Sequence, residues 1–391
     1  MPQIKSKLPD VGTTTFTVVS QRAHELGALN LGQGFPDYDI DPRLTQLVTE
    51  AMAAGHNQYA PMGGVAELRE QIARKLAATY GRQFDPAHVT VTLGATEGIY
   101  SAIQAVVGSG DDVILFDPSY DSYDPAVRLA GGRSIRIPLQ PPDFRYDWER
   151  IRAAITERTR LVIFNSPHNP SCTAASAADH EQLADAIRGR DILVLSDEVY
   201  ENVVYDGRSP VSVLGNAELR EKSFAVFSFG KTLHATGIRV GYCVAPAELT
   251  RELRKVHQFN TFSIATATQY AIAKFLAEKP HAGRDLASFF QAKRDRLRAA
   301  LASTAFRLPP AQGTYFQLMD YSALSDADDL SFVDRLLNEA GVATIPLSPF
   351  YKEPPALRVV RLCIAKRDDT LDAAAARLRE FAGALAQGGT R

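Results

Sequence analysis

Between residues 89 and 227 short apolar runs alternate with longer stretches of mixed polarity. Val89 to Val91, Val113 to Phe116, Leu161 to Phe164, Ile192 to Leu195 and Phe224 to Phe227 are too short for helices, and they are rich in branched and aromatic residues. They predict strands, and the segments between them have room for helices. Such alternation predicts a mostly parallel sheet covered by helices on both faces. Upstream, Leu68, Ile72, Leu76 and Tyr80 fall four apart, which sets them on one face of a helix over 67–80 that Gly81 would end. Past Pro280 the pattern changes. Ala282 to Ser303 reads as one long charged helix carrying Leu286, Phe289, Phe290, Leu297 and Leu301. Tyr315 to Met319, Val342 to Pro346 and Leu357 to Ile364 then read as strands, with helices near 329–340 and 370–386, so a smaller α/β unit follows the large one. The tail Gln387 to Arg391 is expected to be loose.

Length agrees with this division, since 391 residues exceed one ordinary core. Lys plus Arg number 43 against 45 Asp plus Glu, a net charge of -2, so nothing suggests a nucleic-acid or polyanion surface. Cys172, Cys243 and Cys363 are far apart, with no Cys-x-x-Cys pair and no zinc spacing, which reads as reduced structural thiols and no metal site. Met1 to Asp10 lacks an apolar signal core, and no apolar run approaches the ~20 residues of a membrane span. The expectation is a cytoplasmic protein that engages neither membrane nor nucleic acid.

Ligands of such sheets sit beyond the carboxyl ends of the strands, and that is where the polar residues gather. Val89 to Thr92 runs into Leu93-Gly94-Ala95-Thr96-Glu97-Gly98, small residues opening a helix, which form an anion site from backbone N–H groups and the helix dipole. Strand 113–116 ends in Asp117-Pro118-Ser119-Tyr120-Asp121-Ser122-Tyr123. Strand 161–164 ends in Asn165-Ser166-Pro167-His168-Asn169-Pro170, and strand 192–195 in Ser196-Asp197-Glu198-Val199-Tyr200. After Phe227 come Ser228, Gly230-Lys231-Thr232 and, eight residues past the lysine, Arg239.

Two chemistries want a lysine at 231. A phosphate-binding P-loop needs a glycine five residues before its Gly-Lys pair, where this chain has Ala225. A Schiff base needs an amine whose pKa is lowered by burial, and Ser228 and Arg239 could hold the phosphate of a carbonyl cofactor. Gly32-Gln33-Gly34-Phe35-Pro36-Asp37 begins like a dinucleotide fingerprint but puts Asp37 at the third glycine, and it reads as a loop of close backbone approach. Taken singly, each residue has a plainer explanation: Lys231 a solvated turn lysine, Asp197 and Tyr200 a strand-end cap and core packing, Arg361 an ion pair between domains, Asn169 a turn former. Together they supply a phosphate cradle, a carboxylate, a phenol, an amide, a second aromatic ring and a lysine.

That combination, running from about Leu31 to Arg361, resembles the fold-type I pyridoxal-phosphate aminotransferases of class I/II. The runs Asn57-Gln58-Tyr59-Ala60-Pro61-Met62, Phe116 to Tyr123 and Pro167 to Pro170 look most similar to bacterial methionine aminotransferases within the kynurenine and glutamine transaminase group. The resemblance implies an aspartate aminotransferase-like α/β fold: a three-layer αβα cofactor domain over 46–282, and a small α/β domain from 1–45 and 283–391. It implies pyridoxal 5'-phosphate as cofactor, with Lys231 as the Schiff-base lysine and proton carrier, and Asp197 paired with the ring nitrogen. Asn169 and Tyr200 would hydrogen-bond the ring oxygen, Tyr120 would stack on the ring, and Ala95, Thr96, Ser228 and Arg239 would bind the phosphate. Tyr59 would reach that phosphate from a neighbouring subunit, which implies a homodimer with shared sites. Arg361 would grip the substrate α-carboxylate with Gly34 and Asn169 alongside, and Phe16, Tyr123 and Phe262 would line the side-chain pocket. Arg239 departs from the lysine of many relatives and keeps the positive charge. The implied reaction moves the amino group of methionine, and of aromatic amino acids or glutamine, to a 2-oxo acid by a ping-pong route through pyridoxamine phosphate. A kynurenine or glutamine transaminase with carbon-sulfur β-lyase activity, and a non-catalytic cofactor-binding protein, are the alternatives.

Overall fold

Both faces of the central sheet are buried, which is why its strands appear in the sequence as unbroken apolar runs. The computed structural model describes residues 5–388; the last three residues of the tail expected to be loose lie outside them, while Gln387 and Gly388 belong to the helix Asp368–Gly388. In chain order the strands are β1 Val89–Thr92, β2 Asp112–Asp117, β3 Arg133–Pro138, β4 Thr159–Asn165, β5 Leu193–Asp197, β6 Ser223–Ser228 and β7 Gly241–Val244. They are ordered β1-β7-β6-β5-β4-β2-β3. Only β7 runs against its neighbours, β1 and β6; the other pairs are parallel. Alternate side chains divide between two cores. Val113, Leu115, Leu161, Ile163, Leu195, Phe224 and Val226 pack with Ile99 and Ile103 of the helix Gly94–Val106. Ile114, Phe116, Val162, Phe164, Val194, Ala225 and Phe227 face the opposite helices, which bring Leu68, Ile72, Leu76, Leu183 and Ile272. The result is a three-layer α/β fold.

Two strands depart from the sequence expectation for opposite reasons. β3, Arg-Ser-Ile-Arg-Ile-Pro, is an edge strand whose polar side chains are partly exposed, so its apolar signal is diluted. β7 is fully buried but short, and it begins directly after the loop that carries Arg239. The expected long helix over 282–303 is Leu286–Leu301, preceded by a turn through Gly283 at φ +86°.

Beyond it, β8 Phe316–Asp320, β9 Ile345–Pro346 and β10 Val359–Cys363 make an antiparallel sheet ordered β9-β10-β8. The single strand expected over 342–346 divides at Thr344. Val342–Ala343 pairs in parallel with Leu29–Asn30 near the N-terminus, while Ile345–Pro346 pairs with β10. These pairings bring loop 32–35 and Arg361 onto the carboxyl edge of the large sheet.

The turn after β5 is anchored from below. Glu198 is 2% exposed; its Oε1 accepts from Ser196 Oγ at 2.8 Å and from the Val213 amide at 3.1 Å, and its Oε2 has no hydrogen-bond partner. Burial pushes this carboxyl up to about 7. Between its unfolded and folded pKa values the native state therefore holds a proton that the unfolded chain has released, and stability falls as pH rises through that window. Chemical denaturation at pH 5 and pH 8 should give a lower midpoint at pH 8, and Glu198→Gln should remove about one proton's worth of that dependence.

Candidate active site

A cavity of about 520 Å³ opens at the carboxyl edge of the sheet, where β4, β5 and β6 stop. Register explains the gathering: Asn165, the last residue of β4, is level with Asp197, the last of β5. The Asn165 amide donates to the Asp197 carbonyl at 2.8 Å, so the side-chain carboxylate of Asp197 is left to turn toward the cavity.

Asp197 is 4% exposed, and among the described residues no lysine or arginine lies within ion-pair distance of it. Its Oδ2 accepts from the Tyr123 hydroxyl at 2.5 Å and its Oδ1 from the Val199 amide at 3.3 Å. Burial raises its pKa, and the Tyr123 hydrogen bond opposes that rise. A buried carboxylate with hydrogen bonds but no cation is costly unless something positive comes to it.

Lys231 stands on the short helix Phe229–Thr232 that follows β6. Burial pulls its amine down to about 8. Nζ donates to the Gly34 carbonyl at 3.2 Å and meets the Tyr315 hydroxyl at 2.5 Å. Tyr200 lies beside it, with its ring centre 5.8 Å from Nζ and its phenol pKa raised by burial.

The helix Gly94–Val106 opens without a side-chain cap, with Ala95 and Thr96 lining the cavity. Its first turn is pinned from behind by Glu97, which accepts from the Leu93 amide at 3.1 Å, from Ser101 Oγ at 2.5 Å and pairs with His257 Nδ1 at 3.0 Å. Arg239, in the left-handed region at φ 51°, lays its guanidinium across this opening; a Cβ at Gly94 would sit 2.7 Å from its Nη2. Ser228 and Arg239 line the same cavity. Tyr120, whose hydroxyl burial pushes up to about 12, forms a wall.

Arg361 of β10 is 1% exposed. One terminal nitrogen donates to Asn169 Oδ1, the other to the Gly32 carbonyl at 3.1 Å, and its Nε is buried without a partner. The guanidinium lies 3.8 Å from the Phe316 ring centre, so it is held flat. Gly34 is obligatory next to it: a Cβ there would meet Phe316 Cζ at 2.7 Å.

The cavity thus brings together Phe16, Gly34, Ala95, Thr96, Tyr120, Asn169, Asp197, Tyr200, Ser228, Lys231, Arg239 and Arg361. Tyr123 corrects the sequence reading. Instead of lining a side-chain pocket it is 3% exposed, turned inward at the start of the helix Tyr123–Leu129, and it serves Asp197. Tyr59, expected to serve a neighbouring subunit's site, and Phe262 lie outside this chain's cavity, 84% and 46% exposed and edge to face at 5.3 Å. The sequence reading passed over Tyr315, Asn165 and Asp121 as site residues. Asn165 and Asp121 stood in the quoted strand-end runs; Tyr315 had only its place at the start of an expected strand.

A family model for aminotransferase class I and II matches residues 27–378, and the chain belongs to that family. It is an enzyme of a pyridoxal-phosphate-dependent class. Its relatives include the methionine aminotransferase of Escherichia coli (strain K12), 51% identical over 378 residues, 96% of this chain and 98% of that one. A crystal structure of the Escherichia coli protein YbdL, for which a methionine aminotransferase function was identified, superimposes with a TM-score of 0.94 over 97% of this chain and 100% of that chain, at 51% identity. Kynurenine--oxoglutarate transaminase 1 of Rattus norvegicus is 31% identical, covering 91% of this chain and 93% of its own length. Among the described residues no helix is long and apolar enough to cross a membrane, and no side-chain cluster could hold a metal ion.

Proposed function

We propose that the cavity binds pyridoxal phosphate and that the enzyme moves the amino group of methionine, and of aromatic amino acids or glutamine, to a 2-oxo acid. The observation that carries this is one lysine amine, pulled down to about 8, sharing a cavity with a buried carboxylate that has, among the described residues, no lysine or arginine within ion-pair distance. The residues fit the cofactor. The uncapped helix start at Ala95 and Thr96, with Ser228 and Arg239, offers N–H groups, a hydroxyl and a permanent charge to a phosphate. Asp197 would supply the negative charge a protonated ring nitrogen needs, Tyr120 a wall for the ring, and Asn169 and Tyr200 hydrogen bonds for the ring oxygen. When bound, the cofactor supplies an aldehyde that takes up the amino group and a ring that accepts electrons from the substrate Cα.

The protein's own work is orientation and proton transfer. Arg361 holds the substrate α-carboxylate with the guanidinium N–H donors not spent on Asn169 and the Gly32 carbonyl. The free amine of Lys231 would hold and move the proton at the substrate Cα; with a pKa of about 8, a useful fraction is uncharged near neutrality. Residues 46–282 would form the cofactor domain, and 1–45 with 283–391 the small domain. The exposed Tyr59 supports the homodimer reading, in which it completes a partner's phosphate site. The free cysteines, all buried, agree with a cytoplasmic setting.

For the side chain, the cavity offers Val11, Phe16 and Pro125 together with Asp121. Burial raises the Asp121 carboxyl, the Arg361 charge opposes this, and among the described residues no cation pairs with it. A second substrate carboxylate would meet this group without compensation, so neutral side chains are favoured. The identity with the Escherichia coli enzyme supports methionine among them. The test is a donor panel with one fixed acceptor. Methionine should be used best, with phenylalanine and glutamine following and glutamate poorest; Asp121→Ser should raise kcat/KM for glutamate by about tenfold while leaving methionine within about twofold. Glutamate as the best donor would overturn the assignment. Release of pyruvate and ammonia from a cysteine conjugate would favour the β-lyase reading.

A further inference from the structure

Lys231 carries a hydrogen bond that neither its place in the chain nor the reaction explains. Tyr315, the residue before β8, is 1% exposed, and its hydroxyl lies 2.5 Å from Lys231 Nζ and 2.5 Å from the Gly34 carbonyl oxygen. A phenol has one proton to give. The carbonyl can only accept, so the proton goes to Gly34 and the phenol oxygen accepts from the lysine. Nζ donates to the same carbonyl at 3.2 Å, and the Tyr315 hydroxyl is its side-chain hydrogen-bond partner among the described residues.

We propose that Tyr315 is a positioning residue that holds the free Lys231 amine, between its own hydroxyl and the Gly34 carbonyl, where that amine takes and returns the substrate Cα proton. The proposal rests on the aminotransferase reading of Lys231. Proton accounting is closed within the lysine: uncharged Nζ takes one proton from Cα, becomes an ammonium donating to the Tyr315 oxygen and to Gly34, and gives the same proton up at the cofactor carbon. Tyr315 stays neutral throughout, in keeping with a buried phenol whose pKa burial raises far above its ordinary value.

The surroundings suit that task. The ammonium stage also has an aromatic neighbour in Tyr200, whose ring centre lies 5.8 Å from Nζ. The Tyr200 and Tyr315 rings meet at 5.0 Å and 84°, so the phenol holding the lysine is itself braced by the residue proposed for the cofactor's ring oxygen. Phe290 closes the other side at 5.6 Å. Because Tyr315 leads into β8 and Gly34 lies in the N-terminal loop, the amine is aimed by elements outside the strand-helix unit that carries it.

Tyr315→Phe keeps the ring and removes the oxygen. In the cofactor-free protein, acetic anhydride labelling across pH with mass-spectrometric readout of Lys231 reports the amine directly. A neutral acceptor favours the ammonium, so the labelling midpoint of the variant should move down by about half a unit or more. In the loaded enzyme kcat should fall by about tenfold with the donor KM within about twofold, and the isotope effect from α-deuterated donor should increase. Tyr315→His, which can offer a ring nitrogen as acceptor, should recover part of both losses. A merely structural phenol would change melting temperature and leave the midpoint in place. An unmoved midpoint together with an unchanged kcat overturns the proposal. If the wild-type enzyme transfers no amino group from any donor, the functional reading fails, while the labelling midpoint still reads the Tyr315 contact by itself.

Discussion

Lys231→Ala is expected to lower kcat/KM for amino-group transfer by on the order of 10⁴-fold, because one side chain provides both the attachment point and the proton carrier. The loss should fall on kcat, with binding of the free cofactor retained through the phosphate site, since Ala95, Thr96, Ser228 and Arg239 still line the cavity when the amine is gone. Lys231→Arg should be as inactive. A guanidinium keeps its proton at any working pH and can neither attack a carbonyl nor accept a proton from carbon. The wild-type amine, at about 8, becomes increasingly uncharged as pH rises through that value, so any step limited by the free amine should speed up over the same interval. Stopped-flow rates with a saturating donor at pH 6.5 to 9 would read this slope. A flat profile would place the limiting step elsewhere.

The second large effect belongs to Arg361. It is buried, flat against Phe316, and bonded to Asn169 and the Gly32 carbonyl, yet no carboxylate of the described residues pairs with it. An arginine in that state is costly to the fold and prepared for a carboxylate that arrives with the substrate. Arg361→Met should reduce kcat/KM for every α-amino acid donor by about 10²- to 10³-fold, mainly through KM, which corresponds to losing a desolvated charge pair. The same variant should melt a few degrees higher than wild type, because the uncompensated buried cation has gone. Loss of activity with gain of stability separates a binding residue from a structural one. Arg361→Lys keeps the charge but not the planar fork and should recover only a small part.

How much of this was legible in the chain follows from where each signal lies. The five strands anticipated from the apolar runs are interior strands or strands buried on both faces, so every residue contributes to the pattern. β3 escaped because an edge strand can carry Arg133 and Arg136, and β7 because its length is set by pairing with β1 and β6 rather than by its own sequence. Asp197 and Ser228 are visible because each stands where a strand begun by an apolar run ends, which fixes their position in the sheet before any fold is known; Asn165 closes its strand in the same way but carries no further mark of a site. Side-chain direction is another matter. Tyr123 was placed in the correct run but on the wrong side of it, since the helix that begins there turns the ring beneath Tyr120 toward Asp197. Tyr315 has no local signal beyond its place at the start of an expected strand: its role comes from the packing of β8 against loop 32–35, with Gly34 and Tyr315 281 residues apart in the chain.

The lysine and its cavity are expected to move an amino group from an amino acid onto a bound cofactor. The direct measurement is a single half-reaction: the pyridoxal-phosphate-loaded protein is mixed with excess L-methionine and no 2-oxo acid, and the 2-oxo acid and ammonia produced are counted against sites. The expected result is one equivalent of the methionine-derived 2-oxo acid per site, no ammonia, a matching loss of the protein's visible absorbance, and full recovery of that absorbance when a second 2-oxo acid is added. Continuous release of ammonia, or no 2-oxo acid from methionine, glutamine or any aromatic donor, would contradict it.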